Sequence, residues 1–209
     1  MARSPYRYLA TSPGGFVQQL AVGYIARGYH FYSFSVVPEG KDPLKVDAKL
    51  IARYGVDVSK WARMRNKREG VANVQYLRYD RFFVIVATGG TGRFFQDEPY
   101  RDFRRRSLYF AGYSIAHRAD QDGTLHPSVR LSPTQYGLLK SWFLELAVRR
   151  TCAELCRAFQ RLDVEAYAPV RRQLLNVHRA VNDARDAAGL EPVPMSCLPL
   201  RRRVLRPFD

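Results

Sequence analysis

The sequence predicts an α+β fold, a ferredoxin/RRM-like mainly antiparallel sheet with a C-terminal helical hairpin and an extended basic tail. Three observations lead there. Aromatic and β-branched runs bounded by Gly, Pro or Asp recur as far as residue 131, helical periodicity replaces them after Ser132-Pro133, and the end of the chain is rich in proline and arginine. The expected organisation is an α+β core over 1–131, a helical extension packed on it over 132–189, and a tail over 190–209.

Taken in order, residues 12–15 (Ser-Pro-Gly-Gly) read as a turn, and Phe16, Val17, Leu20 and Ile25 as the apolar side of a short helix ending at Gly28. The run 29–37 (YHFYSFSVV) has strand composition. Asp42 followed by Pro43 is a helix start, and Leu44, Ala48 and Ile51 continue it to Tyr54, before Gly55. A short, very basic helix is expected over 59–69. Strands follow at 71–79 and 82–88, turning near Asp80-Arg81, and the second (FFVIVAT) is apolar enough to lie centrally with both faces covered. Gly89-Gly90-Thr91-Gly92 is a tight turn. Residues 107–117 and 125–131 read as a hairpin closed by Asp120-Gln121-Asp122-Gly123. Beyond residue 132, Leu138, Trp142, Leu146, Leu155, Phe159 and Leu162 recur at helical spacing, with Arg149-Arg150 either facing out or dividing the segment. Pro169 starts a last helix, with Leu174, Val177, Val181 and Ala184 on one side and Gly189 at its end.

Charge narrows the function classes. The 209 residues hold 34 Lys plus Arg against 19 Asp plus Glu, a net +15, and self-repulsion of that size is relieved by a polyanion. Arginine dominates, which suits bidentate phosphate contacts and stacking on bases, although a GC-rich genome accounts equally for the Arg to Lys ratio. Cys152, Cys156 and Cys197 have no metal-finger spacing, and they point to a reducing, cytoplasmic setting without a disulfide scaffold. No apolar run is long enough to cross a bilayer, so no membrane partner is expected.

The most informative segment is SKWARMRNKRE at 59–69, where Lys60, Arg63, Arg65, Lys67 and Arg68 are opposed by Glu69 alone. Such a helix lies along phosphates or is a solvated surface; Trp61 is read first as a core residue and second as a base-stacking one. Residues 43–68 also trace a helix-turn-helix outline with Gly55 in its turn, but the alanine-to-glycine spacing is one residue short, and a crossover between strands explains them better. On an RNA-binding sheet Tyr29, Phe31, Tyr76 and Tyr79 are the aromatics that would meet bases. Arg101, Arg104, Arg105 and Arg106, with Arg201, Arg202 and Arg203, extend the expected grip.

Catalytic patterns are incomplete. A His-hydrophobic-His site fails because Tyr32 stands where His30 needs a partner, and His117 sits alone beside Arg118. Glu39-Gly40-Lys41 lacks an upstream acid, and Cys152 with Cys156 lacks a second ligand pair. The first expectation is therefore a nucleic-acid-binding protein without cofactor, metal or catalytic residue, from a replication, mobile-element or ribonucleoprotein assembly. The rivals are a metal-dependent nuclease or strand transferase, in which Asp80, Asp97, Glu98 and Asp122 converge, and an interaction subunit whose C-terminal helices dock a protein partner or form a homodimer.

Overall fold

The computed structural model describes residues 6–120 and 122–208; the beginning of the expected core, Gln121 in the predicted turn and Asp209 of the tail lie outside the described residues. The fold is mixed α+β, with two antiparallel sheets and several C-terminal helices, and the chain divides into two units. One comprises Met1–Leu108, Ile115–Pro127 and Leu205–Asp209; the other comprises Tyr109–Ser114 and Ser128–Val204.

The first unit opens on a helix. Ser12 does not open a turn but caps α1 (Pro13–Gln18), its Oγ accepting from the Gly15 N–H at 3.0 Å, and the coil continues as a π-helical segment over Gln19–Tyr24 and a 3-10 turn over Ile25–Arg27. Strand β1 (Phe31–Val36) leads into α2 (Pro43–Tyr54), capped by the Asp42 carboxylate and ended by Gly55 at φ 57, which a side chain would strain. Next come α3 (Lys60–Arg68), the hairpin β2 (Val74–Tyr79) and β3 (Phe82–Ala87), the short α4 (Arg93–Asp97), and β4 (Arg101–Asp102). The sheet order is β2-β3-β1-β4, and β3 is central as its composition requires. Tyr79 pairs with Phe82, so Asp80-Arg81 is the whole turn.

Both faces of this sheet are covered. Val74, Tyr76, Ile85 and Ala87 pack with Tyr54 of α2 and Phe94 of α4, while Phe16 of α1 meets Phe82 edge-on at 5.7 Å. A buried ion pair clamps the crossover to the sheet: Asp47 of α2 is fully buried, and it accepts from the Tyr76 hydroxyl at 2.6 Å, from Arg78 Nε at 2.8 Å and from Arg78 Nη2 at 2.7 Å.

The second sheet, β5-β6-β7, is built from β5 (Leu108–Phe110), β6 (Tyr113–Ala119) and β7 (Leu125–Leu131). The expected single strand over 107–117 is broken by a tight turn at Ala111-Gly112, both at positive φ, a turn without the Asn or Asp that usually marks such sites in sequence.

In the second unit Arg149-Arg150 divide the predicted helix, giving α5 (Pro133–Ala147), α6 (Cys152–Gln160) and α7 (Ala168–Ala187) in place of a two-helix hairpin. Thr151 and Glu154 form a reciprocal cap at the start of α6, which is why the break falls there. Phe143, Leu155, Phe159, Val177 and Val181 make the core. Residues after 189 join it, with Val193, Cys197 and Leu198 buried. Cys156 and Cys197 are bonded as a disulfide, a single bridge that the cysteine spacing did not announce; Cys152 is free. Among the described residues no helix is long and apolar enough to cross a membrane.

Candidate nucleic-acid interface

Helix α3 is built to stand off the core. Ser59 caps it by accepting from Ala62 N–H at 3.1 Å, and its attachment to the sheet unit is polar: Asn73 Nδ2 donates to the Arg63 carbonyl at 3.0 Å, and Asn66 Nδ2 donates to Asn73 Oδ1 at 3.2 Å. None of its residues is buried. Lys60, Arg65, Lys67 and Arg68 are exposed, and Arg63 is half-buried. Trp61 is 74% exposed, so the first reading of it as a core residue is wrong. The physical reason lies in the helix itself, whose remaining residues are too polar to form an apolar stripe around it.

A cavity of about 680 Å³ opens beside this helix. Its lining includes Trp61, Met64 and Lys67 of α3 and, from the segment before β1, Arg27, Tyr29 and His30. Arg63 also borders a neighbouring cavity of about 510 Å³ that includes Tyr6, Arg7 and Asp57. The Arg63 Nε is buried and has no hydrogen-bond partner among the described residues. Thr88 and Gly89 also line the first cavity, and the turn that follows them is held by Thr91 N–H donating to the Gly70 carbonyl at 2.8 Å and Ala72 N–H donating to the Thr91 carbonyl at 2.9 Å. Only glycine fits at 90: a Cβ would stand 2.5 Å from the Gly70 oxygen.

No match to a protein family, a curated protein or a solved structure is found for this chain.

The other predicted residues fall in two places. Arg101 and Arg106 border a small cavity with Phe34 and Tyr100, and the Arg101 guanidinium lies 5.1 Å from the Phe34 ring centre. Arg105 is exposed, whereas Arg104 is held by Asp102 at 2.7 Å. In the second unit Arg201 and Arg203 border a cavity that also contains Asp163 and Glu165, and Arg202 stacks over Tyr167 at 4.5 Å. Of the four sheet aromatics only Tyr29 lines a cavity beside α3. Tyr76 is fully buried, and Phe31 packs edge-on against Phe95 at 5.2 Å.

Sequence reasoning missed one pairing. His30 and His117, read as isolated, have ring centres 4.6 Å apart. Phe103 holds them, its N–H donating to the His30 carbonyl at 2.9 Å and its carbonyl accepting from His117 N–H at 3.0 Å. Burial lowers both imidazoles below their ordinary 6.5, with the partner ring and Arg104 adding to the effect at His30, so both are neutral at pH 7. Nδ1 of His117 is buried and without a hydrogen-bond partner among the described residues. The acids expected to converge are dispersed: Asp97 binds Arg53 at 2.9 Å, Glu98 accepts from Tyr54 and Ser33, and Asp80 and Asp122 lie in two separate hairpin turns. Among the described residues no group of three or more His, Cys, Asp or Glu is placed to hold a metal.

Proposed function

We propose that the protein binds nucleic acid mainly through its phosphate backbone, with α3 as the principal contact. The observation that carries this is a helix with Lys60, Arg63, Arg65, Lys67 and Arg68 that buries no residue and leaves a tryptophan in solvent. Exposing Trp61 beside cations gains nothing for folding, but it fits a surface that meets phosphates and base faces together. The strand order β2-β3-β1-β4, with helices in both crossovers, supports a ferredoxin- or RRM-like unit as the scaffold. Filter binding of labelled DNA and RNA across a salt series tests the reading. Each neutralised phosphate contributes a slope of about −0.9 in log affinity against log salt, so a slope steeper than about −3 is expected. Affinity indifferent to salt, or no binding at low salt, rejects it.

A second reading, a metal-dependent nuclease or strand transferase, is favoured by one observation, the paired neutral imidazoles of His30 and His117. Two imidazoles supply part of a cation site, and the transferring phosphate needs further stabilising donors. The binding reading expects labelled strands to stay intact with Mg²⁺ or Mn²⁺. Cleavage that disappears in a His117→Ala variant would replace it with the enzyme.

A further inference from the structure

We infer that the cavity between α3 and the residues preceding β1 takes one unpaired nucleotide of a single strand, its base against Trp61 and its phosphate among the surrounding cations. The inference rests on the nucleic-acid reading and names the substrate class of that site. Four cationic side chains, Arg27, Lys60, Arg63 and Lys67, border the cavity, and among the described residues no carboxylate does. This sets it apart from the neighbouring cavity, which contains Asp57, and from the cavity at Arg201, which contains Asp163 and Glu165.

The same walls are apolar where a ring would lie. Trp61 is 74% and Met64 40% exposed, and Tyr29 is also part of the lining. Cations around an aromatic and thioether surface complement a flat, apolar-faced, negatively charged ligand, which describes a nucleotide. Arg63 borders the space and, among the described residues, its buried Nε has no hydrogen-bond partner. The volume of about 680 Å³ falls within the ~300–1,000 Å³ of small-molecule pockets. A paired base presents only its edges and its faces are occupied by neighbours, so stacking on Trp61 requires a base out of the helix. The wall at Thr88-Gly89 is fixed by the Asn73 N–H donating to Thr88 Oγ1 at 2.9 Å, so the space exists before any ligand arrives.

The protein has two tryptophans, and a Trp142→Phe background leaves Trp61 as the sole reporter. Titration at low salt with an oligothymidylate of about eight nucleotides, and with a mixed-sequence duplex, reads both fluorescence and affinity. Single strand is expected to quench Trp61 and to bind more tightly than duplex. Measured in the parent, Trp61→Ala should cost about tenfold in single-strand affinity and less than about twofold for duplex, with Trp61→Phe recovering most of the loss. Because Trp61 is exposed, an unchanged melting curve is expected for both variants. Equal binding of the two ligands without quenching, and an unaffected Trp61→Ala, would overturn the cavity inference while leaving phosphate binding by α3 intact. Absence of binding to either ligand would remove the nucleic-acid reading and this inference with it.

Discussion

Replacing Asp47 with alanine is expected to destabilise the protein by about 3–5 kcal/mol, because it leaves the buried Arg78 guanidinium without its counter-ion. Asp47 is fully buried and Arg78 is 5% exposed, so water replaces little of what is lost. The substitution removes the acceptor for Arg78 Nε at 2.8 Å and Nη2 at 2.7 Å and for the Tyr76 hydroxyl at 2.6 Å, leaving Arg78 its bond to the Asp80 carbonyl. For a chain of this length each kcal/mol shifts the melting temperature by about 2–4 °C, so thermal unfolding should move down by roughly 10 °C. The double change Asp47→Leu with Arg78→Met separates the pair's own worth from the cost of a stranded charge. It should recover most of the loss, since a well-packed apolar pair often equals a buried ion pair. A melting temperature for Asp47→Ala within about 2 °C of the parent would show that the pair does not clamp α2 to the sheet.

That clamp was invisible in sequence, and the reason is general to this chain. Helix α2 was legible because its cap, its apolar spacing and Gly55 are local signals; nothing local marks Asp47, which stands between Lys45 and Lys49, as a buried residue. Its partner lies on a strand 31 residues away, and no period connects them. The hairpin of β2 and β3 was legible for the same reason as α2, since its apolar runs and the turn at Asp80-Arg81 are local signals. The turn at Ala111-Gly112 carries no Asn or Asp, and the division of the helix at Arg149-Arg150 stood as one of two readings that the Thr151 and Glu154 cap decides.

The candidate site divides along the same line. The cations of α3 were evident, because charge is a property of the segment. Their setting was not: Trp61 was misread because burial of a tryptophan is decided by whether neighbouring residues give it an apolar surface to join. His30 and His117, and the meeting of Tyr29 with α3 around one cavity, arise from tertiary contacts over long sequence separations. Cys156 and Cys197 are separated by 41 residues, and their pairing follows from how residues 193–198 pack on the helical core rather than from spacing.

Changing Arg63, Arg65, Lys67 and Arg68 together to glutamine is expected to weaken nucleic-acid binding by about 100-fold or more at moderate salt, equivalent to about 2.8 kcal/mol. Up to four phosphate contacts go at once, so the salt slope should fall by about 3 as well, a signature that a merely misfolded fraction would not produce. The fold should survive. Glutamine has helix propensity close to arginine and lysine, α3 buries no residue, and the cap at Ser59 and the attachment through Asn73 are untouched. The cost confined to the helix is the loss of favourable cations in its last turn, at about 0.3–1 kcal/mol each when exposed. The control must remove equal charge without cutting a structural bond, and the second unit supplies exposed residues in Arg157, Arg161, Arg172 and Arg179. Arg185 is unsuitable, since it is buried and donates to the carbonyls of Ala147 and Arg150 at 2.7 and 2.9 Å. With net charge matched between the two variants, long-range attraction is lowered equally in both, and a larger loss from the α3 variant isolates local contact. Equal losses would mean that the protein attracts nucleic acid by its overall charge alone, and an unchanged affinity in a variant that melts like the parent would return α3 to an ordinary solvated helix.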